Sequence, residues 1–186
     1  MISRTIATLL ALLLLLMGTA LAADYGYEID VDAMKALEQS SAFPVQVIEK
    51  KVVEECFDTT LGGDPGDALV LTIKSDVAEG TITGLKLSFV AYDADNCTAY
   101  IEGGMKISSL YASPSISSLS RDGLELTAGD TCVFSTKVDY DKFVGVRAMV
   151  ASYTDQAGNT VENPDFEAWQ NMAFGLSGSS ATTELD

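Results

Sequence analysis

The chain has 186 residues, 11 Lys and Arg against 27 Asp and Glu, no His, and a formal net charge of −16. Such a surface repels nucleic acid and anionic lipid, both of which need Lys or Arg to neutralise phosphates. The absent histidines exclude a Ser–His–Asp or Cys–His catalytic set, yet aliphatic and aromatic residues are too plentiful for a disordered acidic chain.

Residues 1–23 read as a secretory signal peptide: Arg4 gives a positive start, Leu9 to Leu16 an apolar stretch, and Ala20-Leu21-Ala22-Ala23 a small-residue cleavage site. The apolar run is about half the length of a spanning helix, and no later segment is apolar enough to cross a bilayer. The expectation is a secreted, extracellular protein with no membrane span after leader cleavage. Cys56, Cys97 and Cys132 then enter an oxidising compartment. Three pairings are open; Cys97 with Cys132 is favoured because both fall near strand starts, and three unpaired thiols are the alternative.

In the segment 24–44, Asp30 caps a short helix over 31–39 with Val31, Met34 and Leu37 on its apolar face. From Val45 the period changes. A first strand spans 45–56, bent near Glu49-Lys50-Lys51, and Leu61 to Gly66 is a turn. Leu69, Leu71 and Ile73 alternate in a second strand, 68–74. Over 81–92, Leu85, Leu87, Phe89 and Ala91 face one way and Lys86, Ser88, Val90 and Tyr92 the other, as in an antiparallel sheet covering a core. The turn Asp93 to Asn96 leads into a strand at 97–102. The Ser-rich stretch 107–120 is expected as an irregular surface loop, with a short strand inside it as the alternative. Strands follow at Leu124 to Leu126, at 131–139, and at 143–153, where Val144, Val146, Ala148 and Val150 face one side and Phe143, Arg147, Met149 and Tyr153 the other. Thr160 to Glu162 is a last short strand. Asn163-Pro164 reads as a cap and first residue of a helix over 164–173, with Phe166, Trp169 and Met172 on one face. Residues 175–186 form a flexible acidic tail.

Seven to eight short strands with turns every eight to twelve residues, and no alternation of strands with helices, predict an all-β fold: an immunoglobulin-like antiparallel β-sandwich over 45–174, with a short N-terminal and a short C-terminal helix. Three stretches carry a family likeness: Phe89-Val90-Ala91-Tyr92-Asp93; Leu126 to Thr131; and Val150 to Tyr153 with Asp155, Gly158, Asn163-Pro164 and Trp169. Together they resemble the small secreted immunoglobulin-like domains of Gram-positive bacteria named for an F-x-L-Y-D strand motif, with Ala91 in place of the family's Leu. The resemblance covers about residues 45–170. It implies a non-catalytic extracellular binding or stalk module and transfers no active site.

The remaining chemistry is sparse. No Ser-x-x-Lys, G-x-S-x-G, phosphate-binding loop or dinucleotide fingerprint occurs. Paired carboxylates cutting a glycoside are the one catalytic alternative, although the acids fall mainly in predicted turns. Calcium is a second use for them: Asp93, Asp95 and Asn96 in one turn, Asp155 and Asn159 in another, would form a site if the fold joins the two tips. The competing explanation is turn chemistry, through Asp and Asn side chains bonding the backbone. Asn96-Cys97-Thr98 matches the glycosylation acceptor pattern. Trp169 is either a ligand platform or part of a helix plugging one end of the sandwich. The reading is a secreted binding or spacer module that needs no cofactor, recognising an extracellular protein or glycan through loops, with Tyr92, Tyr111 and Tyr153 as ligand-binding candidates.

Overall fold

A computed structural model describes residues 28–56, 66–99, 116–138 and 143–176. The expected leader over 1–23, Tyr111, most of the expected turn from Leu61 to Gly66, and residues 177–186 of the expected tail lie outside them. The elements in chain order are α1 (Val31–Ser40), β1 (Val45–Cys56), β2 (Gly66–Ser75), β3 (Ile82–Tyr92), β4 (Thr98–Ala99), β5 (Ser117–Leu126), β6 (Thr131–Val138), β7 (Gly145–Asp155), β8 (Thr160–Glu162) and α2 (Phe166–Ala173).

The strands form two antiparallel sheets. One has the order β1-β2-β6. In the other, β7 lies between β3 and β8, and the far edge of β3 is shared by β5, along Ile82–Phe89, and β4, at Ala91–Tyr92. Setting the two-residue β4 aside, the first, second and fifth strands make one sheet and the third, sixth and seventh the other. This is the crossed connectivity of an immunoglobulin-like sandwich, with the fourth strand, β5, pairing β3 rather than β6.

Alternation builds the core between the sheets. Leu69, Leu71, Ile73, Phe134 and Val138 from one sheet meet Leu85, Leu87, Phe89, Ala91, Val146, Ala148 and Val150 from the other, all buried. Burying a side chain of this size is worth about 1.5–3 kcal/mol, so this layer dominates stability.

The two short helices lie together against the outer face of the five-stranded sheet. Ile29, Met34, Trp169 and Ala173 pack on Val90 and Met149 in a second buried cluster. Trp169 therefore does not plug an end of the sandwich; it joins a third layer. Helices of ten and eight residues hold no structure alone, and this face is what stabilises them. Asp30 caps α1 by accepting from the Ala33 N–H at 2.9 Å.

Several expectations are corrected. In the Ser-rich stretch the short strand is present and the loop is shorter than 107–120: Ser117–Ser120 pair with Lys86–Phe89 of β3. On that edge strand Leu119 packs on the core and the Ser118 hydroxyl sits 2.9 Å from that of Ser88, so no strong apolar alternation marked it. Asn163 is not the cap of α2: its Oδ1 accepts from the Asp165 N–H at 3.0 Å, and the helix begins at Phe166. On β7, Lys86 pairs with Ser152 and Leu87 with Val150, leaving Ala151 as an inserted residue. This bulge reverses the side-chain alternation. Tyr153 is thereby turned from the Arg147 and Met149 face to the core, with its ring 5.6 Å from Phe43. Phe143 also joins that core and Val144 is exposed, since both precede the strand. Cys97 and Cys132 are free thiols, one beside β4 in the five-stranded sheet and one on β6 in the other, so the favoured disulfide does not form.

Candidate ligand-binding groove

The two sheets leave a seam where edge strand β1 runs beside the half of β7 that β8 does not reach, since β8 pairs only Ser152 to Thr154. Unpaired strand edges attract other chains, and folded proteins blunt them with side chains. Here Glu38 of α1 and Asn163 do so. The Ala148 N–H donates to Glu38 Oε1 at 3.0 Å. The Val150 carbonyl accepts from Asn163 Nδ2 at 2.8 Å and the Ala151 carbonyl from the Asn163 N–H at 2.8 Å.

Glu38 gathers four partners. Oε1 also accepts from Trp169 Nε1 at 3.1 Å. Oε2 takes the Lys50 ammonium from β1 at 2.8 Å and faces the Arg147 guanidinium of β7 at 3.5 Å. The Glu38 side chain is 11 % exposed, that of Lys50 21 % and that of Arg147 15 %. Partial burial makes each charge depend on the others, because a desolvated carboxylate left alone is costly. One side chain thus ties α1, α2 and both sheets together. A small cavity of about 20 Å3 adjoins it, lined by Ser41, Val45, Ala148 and Asn163 among others.

Beyond Glu38 the seam opens into a groove of about 360 Å3, lined by Val47, Ile48, Glu49, Lys50, Tyr92, Gly145, Val146 and Arg147. It continues past Lys51, Val52 and Val144 as a second hollow of about 240 Å3. Tyr92 reaches the groove by crossing Gly145, its register partner. A β-carbon at 145 would collide with the Tyr92 phenol, so only glycine leaves the ring its place. Arg147 Nε donates to its own neighbour's carbonyl, Val146 O, at 3.2 Å. Its Nη1 faces Glu38, and the Arg147 side chain lines the groove. Among the described residues Glu38 is the one carboxylate paired with Arg147 or Lys50, and Lys51 leans on Glu49 at 3.8 Å. Tyrosine, arginine, lysine and glutamate in one open trough offer an aromatic surface with hydrogen-bond donors and acceptors, the composition of a recognition site.

The candidate residues named from sequence fare differently. Tyr92 lines the groove. Tyr153 pairs with Leu85, near the other end of β3, and with Val161 of β8, and it packs into the core, so the two tyrosines do not form one surface. Tyr111 lies outside the described residues. The acidic turns do not meet: Tyr92, before Asp93, pairs with Gly145, whereas Asp155 pairs with Ile82, ten residues along β3 and roughly 30 Å away. Their carboxylates serve their own turns. Asp93 Oδ1 accepts from the Asp95 and Cys97 N–H groups, each at 2.9 Å. Asp155 accepts from the Asn159 N–H at 2.8 Å and from its Nδ2 at 2.9 Å. No group of three or more potential metal ligands occurs among the described residues, and Asp93, Asp95 and Asp155 do not form the joint site that calcium would require. Sequence reasoning missed Glu38, Lys50 and Arg147. The one signal was at Arg147, a charge inside an otherwise apolar strand, whereas Glu38 and Lys50 sit among polar neighbours and carry none.

The chain matches no family model, and neither a curated protein nor a solved structure is recognisably similar to it.

Proposed function

We propose that this protein is a secreted, non-catalytic binding module of the extracellular space, recognising a partner at the groove between β1 and β7. The observation that carries the reading is the open trough in which Tyr92, Arg147 and Lys50 converge from three different strands. The leader motivates the compartment. The absence of histidine from the sequence and of any nucleophile motif favours binding over catalysis. The groove shifts the centre of recognition from the loops to a seam between sheets, whose walls are strands held by backbone pairing, which lowers the ordering cost of binding.

The test is retention of the leaderless chain on immobilised extracellular glycans and proteins, compared with Tyr92→Ala and Arg147→Met. Retention weakened by both variants supports the reading. Retention indifferent to both places the site elsewhere, and turnover of a bound glycan makes the protein an enzyme.

A further inference from the structure

Resting on that reading, we infer that the groove takes a sugar unit bearing a single carboxylate, seated on Lys50 and Arg147, and that Glu38 is the internal carboxylate it contends with. The two cations approach from opposite sheets and share one anion, Glu38 Oε2, leaving an uncompensated positive charge in a chain whose net charge is −16. An ammonium has three donors and a guanidinium five. Glu38 and Val146 O engage a minority of these. A second carboxylate entering from the groove therefore finds charge-assisted donors, and a guanidinium meets it in a fork geometry. Its affinity is held down by repulsion from Glu38 across the shared cations.

Two further observations choose the sugar. Tyr92 supplies aromatic surface beside the cations, and Glu49 and Lys51 at the rim suit hydroxyl groups. An extended peptide adding as a strand to β7 is disfavoured, because Glu38 and Asn163 already occupy that edge at Ala148, Val150 and Ala151. The overall acidity of the chain selects isolated carboxylates over a dense polyanion, whose remaining charges lie beyond the local pair.

The experiment is calorimetric titration of the leaderless chain with a hyaluronan hexasaccharide, which alternates uronate and uncharged sugars. Its carboxyl-reduced form, a neutral chito-oligosaccharide and a Glu-Ala repeat peptide of equal charge are titrated alongside it. Expected are binding of the hexasaccharide, about tenfold weaker affinity after carboxyl reduction, and a similar loss in Lys50→Met and Arg147→Met. Glu38→Gln keeps an acceptor for Ala148 and Trp169 but frees both cations, so it binds several-fold more tightly. That gain is an effect a purely structural role does not produce, and the two Met variants carry the test if Glu38→Gln fails to fold. Affinity unchanged by carboxyl reduction, or equal affinity for the peptide, overturns this inference while the groove remains a binding site. No binding of any probe, the neutral one included, together with no retention in the wider panel above, overturns both.

Discussion

Tyr92 lies across Gly145, its partner on the neighbouring strand, and the missing side chain at 145 is what lets the phenol reach the seam between the sheets. The relationship joins packing to the candidate site, because the same ring touches the helix-covered cluster and lines the groove.

Gly145→Ala forces that ring to move. The expected cost is about 1–3 kcal/mol, typical of overpacking, with weaker retention of any groove ligand. Combining it with Tyr92→Ala removes the collision, so the double variant loses less than the sum of the singles. A double-mutant cycle by urea unfolding measures the coupling.

Glu38→Ala strips Ala148 and Trp169 of their acceptor and leaves Lys50 and Arg147 without their shared anion. Loss of about 2–4 kcal/mol is expected from unpairing partly buried groups. Glu38→Gln should cost less than half of that. Denaturant midpoints at constant m report both values.

Trp169 is the sole Trp and is fully buried, stacked on Phe166 at 5.9 Å. Its emission in the native protein should be blue-shifted and shielded from iodide. Trp169→Ala is expected to cost about 3–5 kcal/mol. In Trp169→Phe the ring packing persists but the bond to Glu38 is lost, at a cost of about 1–2 kcal/mol.

Acid should weaken the fold through its turns. Hydrogen bonds from the Asn159 side chain and backbone hold the Asp155 carboxyl below the ordinary value of 3.8, and the Thr127 backbone and hydroxyl do the same for Asp130. A depressed native pKa contributes stability that is complete above the unfolded value and fades as pH falls through the native one. The melting temperature should therefore drop more steeply below about pH 4 in the wild type than in Asp130→Asn/Asp155→Asn. Near neutral pH, calcium and a chelator should leave it unchanged, since these carboxylates already serve their own turns; a rise with calcium would revive the metal reading.

Peptide mapping under non-reducing conditions should find no link between Cys97 and Cys132. Both thiols are pushed above their ordinary pKa: Cys97 by desolvation and then the charges of Asp93, Asp95 and Glu28, and Cys132 by burial, which Arg121 partly offsets. Alkylation at neutral pH should be slow at both, because the thiolate is the reactive form.

Much of the fold was legible from period alone. The residues of β2 and β3 that face the inter-sheet core are those the alternation named, since regular pleating sends every second side chain to that face. The same rule failed at Tyr153, because one inserted residue at Ala151 reverses it and nothing in the local sequence announces an insertion. Ser117–Ser120 was only weakly marked for another reason: an edge strand needs little apolar content to pair.

What the linear chain determined by itself was local: strand-forming alternation, turn chemistry at its Asp, Asn and Gly positions, and the lack of a histidine base. What the tertiary structure decided was meeting. Glu38, Lys50 and Arg147 belong to a helix and two strands in different sheets, and Tyr92 to a fourth element, so no spacing along the chain links them. Periodicity reports which face of an element is buried. Only the packing of sheet on sheet, and of helices on the outer face, determines which faces converge.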